Sequence, residues 1–176
     1  RWNYSTGKSL CEHMIHSVAT QDNPLSATVV RPFNLYGTGQ QPKFAIPAFV
    51  DEVLSGGVPT VYDEGTQTRC FTYIDDFIKG VTDASTSDGG RNATFNLGSS
   101  RETRIDDLAH LVLELAGYPD RSPEYVDTDE LYGDTYEDLN RRVPNTKKAN
   151  ERLSWKAETT LEDGIKSVID SWEQQQ

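Results

Sequence analysis

Two side chains near the start of the chain have the types and spacing for proton transfer: Tyr4 and Lys8, in the run Tyr4-Ser5-Thr6-Gly7-Lys8. On a helix, residues four apart share one face, one turn from each other. An ammonium beside a phenol favours the phenolate, so this spacing allows a tyrosine to exchange protons near neutral pH. A solvated surface pair has the same spacing, so the pair needs support from elsewhere in the chain.

Three further blocks carry groups suited to holding a ligand, two of them an anion. Arg31-Pro32-Phe33-Asn34-Leu35-Tyr36-Gly37-Thr38-Gly39-Gln40 directly follows a β-branched run. Ligands of open α/β sheets bind just beyond the carboxyl ends of strands, and Asn34 offers both a donor and an acceptor there. An ordinary Pro/Gly turn is the competing reading. Arg69-Cys70-Phe71-Thr72-Tyr73-Ile74-Asp75-Asp76 places an arginine ahead of an acidic helix start. The planar fork of Arg69 suits a phosphate, and equally a surface pair with an aspartate. Asn140-Arg141-Arg142-Val143-Pro144 is a basic spot inside an acidic stretch. It suits a bound anion or local charge balance.

Other reactive residues form no such pattern. Cys11 and Cys70 lack CxxC spacing and a histidine cluster, which points away from a metal site or disulfide framework and toward a reducing compartment. His13 and His16 lie three apart without a third ligand pattern and read as surface or packing residues.

The elements that must position these groups can be read from periodicity. Residues 3–21 have helical spacing at Tyr4, Lys8, Cys11 and Ile15, with Asp22-Asn23-Pro24 as the stop. Ala27 to Val30 reads as a buried strand, residues 31–42 as a loop, and Phe44 to Leu54 as a helix closed by Gly56-Gly57. Thr60 to Tyr62 and Cys70 to Ile74 read as strands, with a turn at Asp63-Glu64-Gly65 between them. Asp75 and Asp76 open a helix to about Ser85, with acids at its positive end. Thr94 to Leu97 is a strand, and 105–116 an amphipathic helix with Ile105, Leu108, Leu111, Val112 and Leu115 on one face. Residues 118–145 read as a long acidic loop, and helices at about 146–153 and 161–173 close the chain. Strands alternating with helices indicate an α/β arrangement.

The 176 residues suffice for a real core, and 35% hydrophobic content suits a globular protein. No apolar run approaches a membrane span. A net charge of -11 repels nucleic acid and anionic membranes. It fits an ordinary acidic cytoplasmic protein or one adapted to salt. No charged-then-apolar leader is visible. Arg1 stands inside helix-forming sequence, giving the expectation of a piece cut from a longer protein.

Taken in order, the blocks Tyr4-x-x-x-Lys8, Arg31-Pro32-Phe33-Asn34-x-Tyr36-Gly37, Arg69-x-Phe71-x-Tyr73-Ile74-Asp75-Asp76, Phe95-Asn96-Leu97-Gly98-Ser99, Arg142-x-Pro144 and Leu153-Ser154-Trp155 form a set. The chain resembles the extended short-chain dehydrogenase/reductase family, specifically its NAD-dependent nucleotide-sugar epimerases, dehydratases and decarboxylases, from Tyr4 to about Trp172. The resemblance implies an α/β fold: the C-terminal part of a Rossmann-type doubly wound parallel sheet, left incomplete, plus a small α/β substrate-binding domain. Residues 1–42 and 69–98 would belong to the former, 43–68 and 99–176 to the latter, and the N-terminal NAD-binding half would be absent.

By the same resemblance Tyr4 is the catalytic acid/base, and Lys8 holds the nicotinamide ribose and activates Tyr4. Both would contact the cofactor, NAD rather than NADP, with Pro32 and Phe33 beside the nicotinamide. Asn34 would contact the substrate diphosphate, Val61 and Tyr62 would edge the nucleotide base, and Arg69 and Arg142 would grip the diphosphate. Asp75, Asp76, Asn96, Gly98 and Trp155 would be architectural. The expected ligand is a nucleotide-diphosphate sugar, with neither nucleic acid nor membrane as partner. The intact parent is expected to be a cytoplasmic homodimer, joined through the helix of Tyr4 and Lys8. A non-catalytic nucleotide-sugar-binding or scaffold member of the fold is the alternative.

Departures from the family pattern are also legible. The 176 residues contain no GxxGxxG turn for the pyrophosphate of NAD, no acidic ribose-binding residue after it, and no Ser/Thr partner ahead of Tyr4. Asn145 and Ser154 stand where the family often has aspartate and glycine. The chain alone is therefore expected to be inactive.

Overall fold

The computed structural model describes residues 2–20, 26–127 and 140–174. Helix α1 (Trp2–Thr20) lies along a parallel pair, β1 (Thr28–Pro32) and β6 (Ala93–Leu97), with Thr28 opposite Ala93 and Pro32 opposite Leu97. Two contacts fix its direction. Glu12 on α1 takes a two-point hydrogen bond from Arg31 near the end of β1, with Nε–Oε1 at 2.7 Å. His16, one turn later, reaches Thr94 Oγ1 at 2.9 Å near the start of β6. The helix thus runs antiparallel to the strands, and its first turns lie toward their carboxyl ends.

The larger core forms where three helices meet around β3 (Thr60–Tyr62): α2 (Ala45–Leu54), α4 (Ile105–Leu115) and α6 (Leu161–Glu173). Ile46, Phe49, Val50 and Val53 recur at helical spacing on α2 and are buried against Leu108 and Val112 of α4 and Ile165 and Val168 of α6. Thr160 caps α6, its Oγ1 accepting from Asp163 N at 3.0 Å. A smaller core joins β6 to α3 (Ile74–Thr86) and α5 (Lys147–Leu153) through Phe95, Leu97, Ala84, Leu153 and Trp155. Trp155 Nε1 donates to Asp76 O at 2.8 Å, and Asp76 Oδ2 accepts from Glu158 N and Thr159 N. Asp76 is therefore a packing residue as well as a helix-start acid. No described helix is long and apolar enough to cross a membrane.

The elements differ from the sequence reading where strands are too short to show periodicity. The loop over 31–42 contains β2 (Leu35–Tyr36), which pairs in parallel with β5 (Thr72–Tyr73). The expected strand from Cys70 to Ile74 is instead two pieces, β4 (Thr68–Arg69) and β5, and Ile74 already belongs to α3. Among the described residues of the acidic segment 118–145 are the strands β8 (Glu124–Val126), parallel to β3, and β9 (Arg141–Arg142), parallel to β4. With β7 (Thr103–Arg104), antiparallel to β4, these complete a ribbon in the order β7-β4-β9. The expected stop at Asp22-Asn23-Pro24 lies outside the described residues.

Candidate functional site

The ribbon β7-β4-β9 decides which arginines share a face. Thr68 is in register with Arg141, and Arg69 with Arg142. Successive side chains of a strand point to opposite faces, and register partners point to the same one. Thr68 and Arg141 therefore occupy one face, and Arg69 and Arg142 the other. On the first, Glu102 accepts from Thr68 Oγ1 at 3.1 Å and from Arg141 Nε at 2.9 Å. That hydrogen bond with Arg141 holds the Glu102 carboxyl below the usual carboxylate range.

The second face meets the loop after β1. Arg142 Nη2 donates to Asn34 Oδ1 at 3.2 Å, and its guanidinium stands 5.9 Å from the centre of the Phe33 ring. Asn34 Nδ2 donates to Cys70 O at 3.0 Å. Asn34 has φ 38°, in the left-handed region that asparagine tolerates better than most residues. Arg69 Nη1 donates to Thr68 O at 2.8 Å. Burial pushes the Cys70 thiol up, so it stays protonated.

Thr72 ties this loop down, a role the sequence did not announce. Its hydroxyl is fully buried, donates to Phe33 O at 2.8 Å, and accepts from Ser99 N at 2.9 Å. Its backbone N–H donates to Asn34 O at 3.1 Å. A Cβ on Gly98 would lie 2.7 Å from Phe33 Cβ and 3.2 Å from Pro144 Cγ. Only glycine lets these three segments close on one another.

A cavity of 620 Å³ opens between the loop, α2 and β3, and Asn34, Tyr62, Arg69, Gln40 and Gln67 are among its lining residues. Of the nucleotide-edging pair, Tyr62 is 42% exposed and lines the cavity. Val61 is fully buried in the larger core, so its side chain is unavailable to a ligand. Gln40 donates to Leu35 O at 3.1 Å, and its Oε1 is buried without a hydrogen-bond partner. Gln40 and Gln67 were missed because isolated glutamines carry no spacing signal.

Tyr4 and Lys8 lie on one exposed face of α1, the Lys8 ammonium 5.6 Å from the Tyr4 ring centre, and Tyr4 is 75% exposed. They do not line the cavity. From Glu12, level with the end of β1, Tyr4 is eight residues up the helix, about 12 Å at the standard rise. This carries both groups past the carboxyl ends of the parallel strands, the side from which Phe33 and Asn34 emerge. Pro32 is exposed and Phe33 partly buried. Asn145 does what an aspartate would do at its position, Oδ1 accepting from Lys147 N at 3.1 Å as α5 begins.

Comparison with known proteins places this arrangement in a group. Residues 1–98 match the model of the NAD dependent epimerase/dehydratase family. A UDP-N-acetyl-alpha-D-glucosaminuronate decarboxylase of Bacillus cytotoxicus is 31% identical over 172 residues, 96% of this chain and 52% of that protein. UDP-D-apiose/UDP-D-xylose synthase 1 of Arabidopsis thaliana is 28% identical, over 96% of this chain and 48% of that protein. In three dimensions, a UDP-glucose 4-epimerase of Thermotoga maritima solved with UDP-glucose superposes with a TM-score of 0.86 at 27% identity, covering 98% of this chain and 53% of that one. The chain thus spans about half the length of the relatives it matches.

Proposed function

The chain belongs to the NAD dependent epimerase/dehydratase family, and from that membership we propose that it is the substrate-binding and proton-transfer part of an enzyme that epimerises, dehydrates or decarboxylates a UDP- or dTDP-sugar by transient oxidation. The observation that carries this reading is the in-register pair Arg69 and Arg142, with the Asn34 amide against Arg142, beside a 620 Å³ cavity. On this reading residues 1–42 and 69–98 form the Rossmann-type part and 43–68 and 99–176 the substrate part, with α5 and Trp155 packed back onto the former.

The diphosphate lies against the Arg69–Arg142 face, where charge-assisted hydrogen bonds from two planar forks hold it in one orientation. Tyr62 presents its ring to the base. This remote binding energy positions the sugar at the carboxyl ends of β1 and β6. There Tyr4 takes the proton of the sugar hydroxyl at its phenolic oxygen and returns it when the keto sugar is reduced. NAD, when bound, supplies the hydride acceptor. The exposed phenol and ammonium of Tyr4 and Lys8 are a donor set that fits ribose hydroxyls, with Pro32 and Phe33 as the adjoining apolar surface. NAD is favoured over NADP by the family membership.

The isolated chain does not turn over on this reading, because its 176 residues contain no GxxGxxG turn to hold the NAD pyrophosphate. The test is calorimetric titration with NAD, UDP and UDP-sugars, with an epimerisation assay. UDP binding without turnover is the expected result. Micromolar NAD affinity, or turnover, overturns the assignment of inactivity. Absence of UDP and dTDP binding at millimolar ligand overturns the substrate reading.

A non-catalytic nucleotide-sugar-binding member of the fold would keep the arginines and Asn34. Retention of Tyr4 and Lys8 on one face favours the enzyme. The family resemblance further leads to a cytoplasmic homodimer as the proposal for the parent, and Leu10, Met14, Ile15 and Val18, exposed on α1, offer apolar surface for such an interface. Light scattering tests this: a monodisperse monomer at high concentration counts against it.

A further inference from the structure

We propose that Glu102 is a positioning residue for Arg142, acting through Arg141; this rests on the reading of Arg142 as a diphosphate ligand. Glu102 immediately precedes β7, whose Thr103 is in register with Arg69. Its carboxylate accepts from Thr68 Oγ1 on β4, and from Nε and Nη2 of Arg141 on β9 at 2.9 and 2.5 Å. One carboxylate therefore spans the ribbon on the face opposite the Arg69–Arg142 pair.

The geometry makes this span consequential. β9 is two residues long, and beside its ladder the Thr68 N–Asn140 O bond of 2.9 Å is a further main-chain tie to β4. A strand so short has few main-chain bonds to set its tilt. The bidentate fork on Arg141 adds two, in the planar arrangement that fixes orientation as well as distance. Arg141 and Arg142 are consecutive, so tilting β9 about its axis moves the Arg142 guanidinium away from Asn34 and Arg69. Exposed ion pairs are usually worth little to stability. Here the effect is on the placement of a neighbouring side chain. The hydrogen bond from Arg141 lowers the pKa of the Glu102 carboxyl, so the fork is an ion pair at neutral pH.

The test is UDP titration of the 176-residue chain and its Glu102→Ala, Arg142→Ala and doubly substituted variants, with uridine binding followed by NMR and melting temperature recorded for each. Arg142→Ala is expected to weaken UDP about tenfold, as loss of one charge-assisted contact does. Glu102→Ala is expected to weaken it by about fivefold, and the double variant to match Arg142→Ala within about twofold, the non-additivity of coupled residues. Uridine binding, which lacks the diphosphate, is expected to stay unchanged. Glu102→Gln, which keeps the side-chain shape, replaces the alanine variant if that chain does not fold, with the same order of effects. The inference is overturned if Glu102→Ala binds UDP like the parent, if the two losses multiply, or if uridine weakens in step with UDP. A parent chain that ignores UDP, or an Arg142→Ala chain that binds it unchanged, overturns the diphosphate reading itself and this inference with it.

Discussion

Arg69 and Arg142 are neighbours across a parallel ladder, register partners on β4 and β9 whose side chains share one face. Adjacent strands lie about 4.8 Å apart, so the two arginines leave the ribbon side by side. Under the proposed function, a doubly charged diphosphate would receive charge-assisted hydrogen bonds from both forks at once.

Arg69→Ala is expected to weaken UDP binding by about 10- to 100-fold, the range of a lost charged hydrogen bond. Raising the salt should weaken the parent more than the variant, because part of the attraction is screened. Calorimetry at two ionic strengths measures both effects; equal salt dependence would place Arg69 outside the anion site.

Gly98→Ala is expected to cost about 1–3 kcal/mol, since a new methyl must displace well-packed neighbours. Its Cβ would meet Phe33 Cβ at 2.7 Å, so the displacement reaches Asn34 in the next position. Denaturant unfolding and UDP titration should therefore fall together. Lost stability with unchanged UDP affinity would show that the loop tolerates the shift.

Acid should weaken the fold through two carboxylates. Hydrogen bonds from Arg31 to Glu12 and from Arg141 to Glu102 lower both folded values. A depressed carboxylate contributes stability above its unfolded value, about 4.3 for glutamate, and loses it as pH falls through the folded value. Glu12→Gln and Glu102→Gln should therefore unfold more easily than the parent at pH 7 and converge with it in strong acid. Denaturant midpoints across pH 2 to 7 check this, and parallel curves would deny the linkage.

Ser154→Gly is expected to stabilise the chain. Ser154 ends α5 at φ 52°, in the left-handed region. A side chain there costs about 1–2 kcal/mol, and the greater freedom of unfolded glycine returns about 0.5–1 kcal/mol of that. The net gain of about 0.5 kcal/mol should raise the melting temperature by about 1–2 °C. Scanning calorimetry reads it, and an unchanged or lower midpoint would contradict the backbone argument.

The longer helices were legible because each repeats apolar residues at its own period, as at Ile46, Phe49, Val50 and Val53. The Tyr4–Lys8 face was legible for the same reason. What escaped was set by register. β4 and β9 have two residues each, too few for any pattern, so the adjacency of Arg69 and Arg142 was visible only once the ladder was seen. Thr72 escaped because its work is done by a hydroxyl buried among segments distant in sequence. The separation of Val61 from Tyr62 was available in principle. Neighbours on a strand face opposite ways, so only one of the two side chains can face the cavity.

The ribbon β7-β4-β9 also bears on the order of folding. Its central strand finds one partner at Thr103 and the other at Arg142, both far along the chain. Contacts of such large sequence separation close slowly, after local helices have formed. The face proposed to hold the diphosphate thus exists only after segments 34 and 73 residues apart have met, so local helix formation alone cannot assemble it.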